Sequence, residues 1–211
     1  MGELTVVLHR SATSLALARP TVPVAWALTA PAARRYVAGW PSSHELHMLT
    51  PSALEQRASN VPGSREMLAL TPVALYARRL IAASNRDLAR WRGPLRWPVQ
   101  LRWAWLLEGA ARWFSGQTDH ARPAIARRLR EGPTPSFPPA VRDAALLGGT
   151  VIDLLAAEEG ELAAVELASQ LDPGGPLTAL RKAFRGRSLA HTEGAWRTHL
   201  SRLASGRPAH G

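Results

Sequence analysis

A single acid inside an apolar helical stretch constrains this chain more than any other feature. The segment Trp103–Gly116 (WAWLLEGAARWFSG) carries three of the eight tryptophans, and its apolar residues at 103, 106, 107, 110, 113 and 114 recur with helical spacing. Arg112 and Ser115 mark the opposite side, and Gly116 supplies a stop. Glu108 sits within the apolar pattern, between Leu107 and Gly109. A carboxylate on a largely buried helix is costly unless a cation, a metal or hydrogen-bond donors compensate it. The functional question is therefore what Glu108 faces.

Composition narrows the answers. A chain of 211 residues, 46% hydrophobic and 20% charged, suits one compact unit with a real core. It has no cysteine, so disulfides and thiolate metal sites are excluded and any metal would need His, Asp or Glu. The net charge is +10, and Lys182 is the one lysine among 26 basic residues. Dispersed arginines with almost no lysine fit a GC-rich coding bias better than a phosphate-binding patch, so nucleic acid is not the expected partner. No apolar run reaches the roughly 18 residues of a membrane span. Val22–Ala33 is interrupted by Pro23 and Pro31 and lies late for a signal core. The expectation is a cytoplasmic protein.

The N-terminal fifty residues read as a small sheet with one helix. Leu4–His9 (LTVVLH), Arg34–Trp40 and Glu45–Leu49 are strand candidates, Ser11–Ala18 is a short helix, and Val22–Leu28 is strand or irregular. The texture changes at Pro51. Helices are expected over Ser52–Ala58, capped by Ser52, and over Thr71–Ser84, with Thr71 as N-cap, Pro72 at the first position and Asn85 as the stop. Residues 91–98 read as a Trp- and Pro-rich connector and Pro133–Pro139 as a loop. Further helices are expected over Ala121–Arg130, Asp143–Glu159, Leu162–Leu171, Leu177–Phe184 and Thr192–Leu203. The fold class is thus α+β, mainly α: a β-rich lobe at 1–50, a helical lobe at 51–204, and a tail at 205–211.

This order resembles the gluzincin-type zinc metallopeptidases, and among them the bacterial peptidase-MA-like domains. Trp105-Leu106-Leu107-Glu108-Gly109-Ala110-Ala111-Arg112-Trp113-Phe114 is similar to the family's second-helix motif, whose glutamate is the third zinc ligand. Glu158-Glu159-Gly160 and a closing helix with Trp196 are similar to the family's C-terminal third. The resemblance implies a preceding helix with His-Glu-x-x-His. Here that helix, Thr71–Ser84, has neither histidine nor acid, and Arg78-Arg79-Leu80-Ile81-Ala82 stands at the motif's place. Metal hydrolysis needs two imidazoles at i and i+4 with a general base beside the first. Arginine neither ligates zinc nor acts as a base at neutral pH. The resemblance therefore implies a degenerate site built from Glu108, Arg78, Arg79, Ala82, Trp105 and Gly109, without metal, cofactor or parent activity. Arg78 or Arg79 would compensate Glu108 in the metal's place.

Other constellations are weaker. His44-Glu45-Leu46-His47 is one residue short of the zinc motif, and Pro41 and Pro51 place it on a strand, where residues three apart face opposite ways. His44, His47 and Glu108 form a low-ranked metal alternative. His120 and Tyr76 are candidate pocket residues, while His191 and His199 are assigned no chemistry. The arginines and tryptophans of 91–103, with Arg122, Arg127, Arg128 and Arg130, are the elements a single-stranded nucleic acid would use. Gly148-Gly149 lies within a helical pattern and is expected to allow close helix packing or a kink. The leading expectation is a non-catalytic metallopeptidase-like protein whose cleft, between the Thr71 and Glu108 helices, takes a peptide or small ligand or is vestigial. The alternatives are an active metal-dependent hydrolase with a rearranged site and a basic nucleic-acid-binding protein.

Overall fold

A small mixed sheet lies within the first fifty residues, and only some of the helices pack on it. The computed structural model describes residues 3–85 and 96–205. Strand β1 (Thr5–His9) runs parallel to β3 (Glu45–Leu49), and β2 (Gly39–Pro41) pairs antiparallel with β3 on its other side, giving the order β1-β3-β2. The register sets Val7 opposite His47 and Trp40 opposite His47. Leu46 and Met48 are buried on one face. The other face of β3 carries Glu45, His47 and Leu49, by the strand's period of two.

The first fifty residues hold more helix than their sequence suggests. Helix α1 (Ala12–Ala18) starts in a reciprocal Ser11–Ser14 capping box. Val22–Leu28, expected as strand or irregular, belongs to helix α2 (Thr21–Leu28). Pro23 falls in its first turn, where no intrahelical N–H bond is lost. Of the strand expected over Arg34–Trp40 only the end is extended. Pro31–Arg34 is a single helical turn, α3, with proline at its first position.

The helical part follows the α+β, mainly α, expectation, with altered boundaries and three added short helices. Helix α4 (Pro51–Arg57) is capped by Thr50, not Ser52. Helix α5 (Ser64–Ala69) has no counterpart among the expected helices. Helix α6 (Thr71–Ser84) contains Thr71 instead of being capped by it. Leu70 is the boundary residue and offers no side-chain cap. Asn85 does end α6, and its amide also ties the chain to Ala168 and Leu171, 2.9 and 2.6 Å away. Part of the expected connector, 91–95, lies outside the described residues, as does the tail from 206, and Arg96–Arg102 forms helix α7. Then come α8 (Ala104–Phe114), α9 (Gln117–His120), α10 (Arg122–Glu131), α11 (Val141–Glu159), α12 (Glu161–Ser169), α13 (Pro176–Ala183) and α14 (Leu189–Ala204).

Helix α8 is the centre. It packs between α6 and α11, and α6 in turn lies on β2 and β3. Leu106 and Leu107 are buried, each contributing roughly 1.5–3 kcal/mol by leaving water. The α8–α11 crossing is made by glycine on both sides: a Cβ at Gly109 would fall on the Gly148 backbone, and one at Gly148 on the Trp105 carbonyl. The close packing expected of Gly148 is thus present, and its partner is the residue next to Glu108. Trp196 on α14 is fully buried and its indole donates to Thr150 Oγ1 at 2.8 Å.

Candidate functional site

Glu108 leaves α8 on the side that meets α6. Arg78, two turns into α6, brings Nη2 to 3.1 Å from Glu108 Oε1. Arg112, one turn along α8, lies 3.8 Å from Oε2. The side chains of Arg78, Glu108 and Arg112 are 12%, 20% and 7% exposed, so this is a desolvated group of two cations and one carboxylate. Arg112 is further fixed by donating to the Tyr36 carbonyl (3.0 Å) and Gln117 Oε1 (2.9 Å). Burial pushes its pKa down and Arg78 adds to this, while Glu108 opposes it. The Arg78 guanidinium lies 3.9 Å from the centroid of the Trp40 ring, a cation–π contact, and Trp40 stacks with Trp97 of α7 at 6.4 Å.

A cleft of about 50 Å³ opens beside the pair, with Leu28, Trp40, Trp97, Leu101 and Leu107 among its walls and Arg78 and Glu108 as its charged members. It has room for a small apolar group. Helix α6 supplies no histidine and no acid to it, and a guanidinium neither ligates a metal nor takes a proton at neutral pH. The zinc that the resemblance implies therefore does not fit this donor set.

The other expected site residues are dispersed. Arg79 turns to the β2–β3 connection and donates to Ser43 O at 2.9 Å. Ala82 is half-buried one turn beyond Arg78 and packs on the core. Trp105 is buried, and its carbonyl and Gly109 serve the α8–α11 crossing. Tyr76 and His120 are exposed and do not line the cleft, which corrects their assignment as pocket residues. Tyr76 falls on the outward face of α6, and His120 ends a short surface helix. His44 is exposed while His47 is buried in the sheet, and no group of three His, Asp or Glu among the described residues can hold a metal. The His44–His47–Glu108 alternative is not assembled, because β3 is a strand and sends residues three apart to opposite faces. Of the four α10 arginines considered for phosphate, Arg127 pairs with Glu131 at 2.8 Å and Arg128 turns into the core.

Three buried or half-buried polar groups join residues far apart in sequence. Arg128 holds Asp143 in a two-pronged pair, both bonds 2.7 Å, and donates to Pro133 O. Asp153 accepts from Trp113 Nε1 (3.3 Å) and meets His199 Nε2 at 2.8 Å. In the sheet, His9 Nε2 and His47 Nδ1 are 3.0 Å apart, His47 Nε2 donates to Glu45 Oε2 at 2.9 Å, and Arg19 reaches the same oxygen at 2.6 Å. Because a carboxylate only accepts, a neutral His47 carries its proton on Nε2, and its Nδ1 accepts a hydrogen bond from His9 Nε2. Burial, then His47 and Arg19, push the His9 pKa down. Histidines in two short apolar strands were the available signal, but the strand pairing needed to join them is not readable from local sequence.

Comparison with family models, curated proteins and solved structures found no match to this chain.

Proposed function

We propose that this chain is a non-catalytic, metallopeptidase-like scaffold in which an arginine–glutamate pair stands in for metal ligation. The cleft beside that pair receives one small apolar group, either a peptide side chain or part of a small ligand. The observation that carries the reading is the Arg78–Glu108 pair joining α6 to α8 at 3.1 Å. Arg78 occupies the position where the resemblance implies the first histidine, and Glu108 the position of the third ligand. An ion pair ties the same two helices that a metal would tie, without supplying a Lewis acid or a base. The apolar walls and the single surplus cation among the described residues favour an occupant that is apolar with a neutral or anionic end.

Restoring the missing ligands tests the reading. The triple substitution Arg78→His/Arg79→Glu/Ala82→His rebuilds His-Glu-x-x-His on α6, with i and i+4 on one face. One zinc per chain in the triple variant, lost again on adding Glu108→Gln, is the expected result by metal analysis. A folded triple variant without zinc overturns the reading, and so does stoichiometric zinc in the unmodified protein.

A further inference from the structure

We infer that the outer edge of β1 is an interface for a second copy of this chain, paired antiparallel about Val7. The backbone assigns the edge. Thr5 N–H donates to His44 O and His9 O accepts from Thr50 N–H, so the peptide groups of residues 5, 7 and 9 point to β3. Those of Val6 and Leu8 point the other way, and among the described residues β1 has no strand on that side. The side chains of these two residues are also uncovered, 51% and 53% exposed. They share a face with the buried Leu46 and Met48, but α6 covers only the β2–β3 part of that face. Backbone donors, backbone acceptors and apolar side chains thus coincide at two residues. None of the usual edge guards is present: Thr5–His9 has no lysine, no proline and no inward-pointing carboxylate.

The sequence of the edge selects its occupant. Glu3 precedes β1 and Arg10 follows it, so an antiparallel copy brings the acidic end of each strand to the basic end of the other, and a parallel one brings like ends together. Outward-pointing peptide groups exchange hydrogen bonds only when outward residues face each other. That condition requires Val6, Leu8 and their equivalents to be opposed. Of the registers that meet it, the one centred on Val7 pairs all five residues of β1. It sets Val6 against Leu8 twice, and extends the three-stranded sheet to a continuous sheet of both copies. The two-fold axis then passes through Val7, with its own symmetry mate opposite it in a closely spaced, non-hydrogen-bonded pair.

The absence of cysteine makes the register directly testable. In the otherwise thiol-free protein, Val7→Cys is expected to oxidise to a covalent dimer, because a non-hydrogen-bonded antiparallel pair brings Cβ atoms within disulfide reach. Val6→Cys is expected to form no covalent dimer under the same oxidant. Sedimentation of the unmodified protein should show a dimer, and Val6→Lys/Leu8→Lys should weaken it about tenfold or more with an unchanged helical spectrum. Both lysines replace exposed side chains, so loss of the fold is not expected. A protein that is monomeric at every concentration, a dimer indifferent to the lysines, or cross-linking through Val6 in place of Val7 overturns the proposal. So does a monomer whose Val6 and Leu8 amides already resist hydrogen exchange, which would show another segment of the same chain on the edge.

Discussion

Among the described residues, the arginine–carboxylate sites Arg128–Asp143 and Arg78–Glu108–Arg112 are built on opposite terms. Arg128 and Asp143 meet in two parallel bonds of 2.7 Å with side chains only 4% and 3% exposed. The remaining guanidinium nitrogen donates to a carbonyl. Every charge is matched and nothing is left to offer. At Glu108 the carboxylate is shared between Arg78 and Arg112 at 3.1 and 3.8 Å, the partners are more exposed, and a cleft adjoins them. A closed pair fixes structure, whereas a cation-rich triad beside an apolar cleft keeps unspent polarity. The contrast separates a closed strut, Arg128–Asp143, from a shared carboxylate that borders a cleft.

The largest test of this contrast is Arg128→Ala. It strands Asp143 in the core without a counter-charge and should cost about 3–5 kcal/mol, measured by denaturant unfolding. A loss under 1 kcal/mol would mean the closed pair is not a strut. Glu108→Gln should cost less, about 1–3 kcal/mol, since Arg112 keeps its bonds to Tyr36 and Gln117. If it costs more than Arg128→Ala, the ranking of the two sites is inverted. Arg78→Ala should cost about 1 kcal/mol, mostly through the Trp40 contact, because Arg112 stays beside the carboxylate. The last test is acidification, read against His9. Its folded pKa lies below the unfolded value near 6.5, so its neutral form stabilises the fold above that pH. That contribution is lost as pH falls from about 6.5 through the folded value, because the unfolded chain takes up the proton first. Urea midpoints should therefore decline on acidification, and the decline should flatten in His9→Gln.

The centre of the site was legible because it rests on local pattern. Trp103–Gly116 announces a helix by its spacing, and the absence of histidine and acid from Thr71–Ser84 is plain in the sequence. The Arg78–Glu108 contact was reachable through the resemblance, which sets Arg78 or Arg79 against the one acid needing a cation. What failed depended on context. Val22–Leu28 is apolar throughout, and such runs suit a buried strand or a helix equally. Thr50 outranks Ser52 as a cap because Pro51 takes the first helical position. Tyr76 and His120 suit a pocket by residue type, but type alone does not say which way a helix turns a side chain, and both are exposed. Arg128–Asp143, Asp153–His199 and His9–His47 join residues 15 to 46 positions apart, and only packing brings them together.

The glycine contact beside Glu108 also decides which parts of the site can move. Where Gly109 meets Gly148, two main chains touch with no side chains between them to slide or rotate. Helices joined in this way turn as one body, so Glu108 is carried on a fixed jaw made of α8 and α11. Across the cleft stands α6, while Trp97 of α7 stacks on Trp40 of β2. Any widening of the cleft between these helices is therefore a displacement of Arg78 away from a stationary carboxylate.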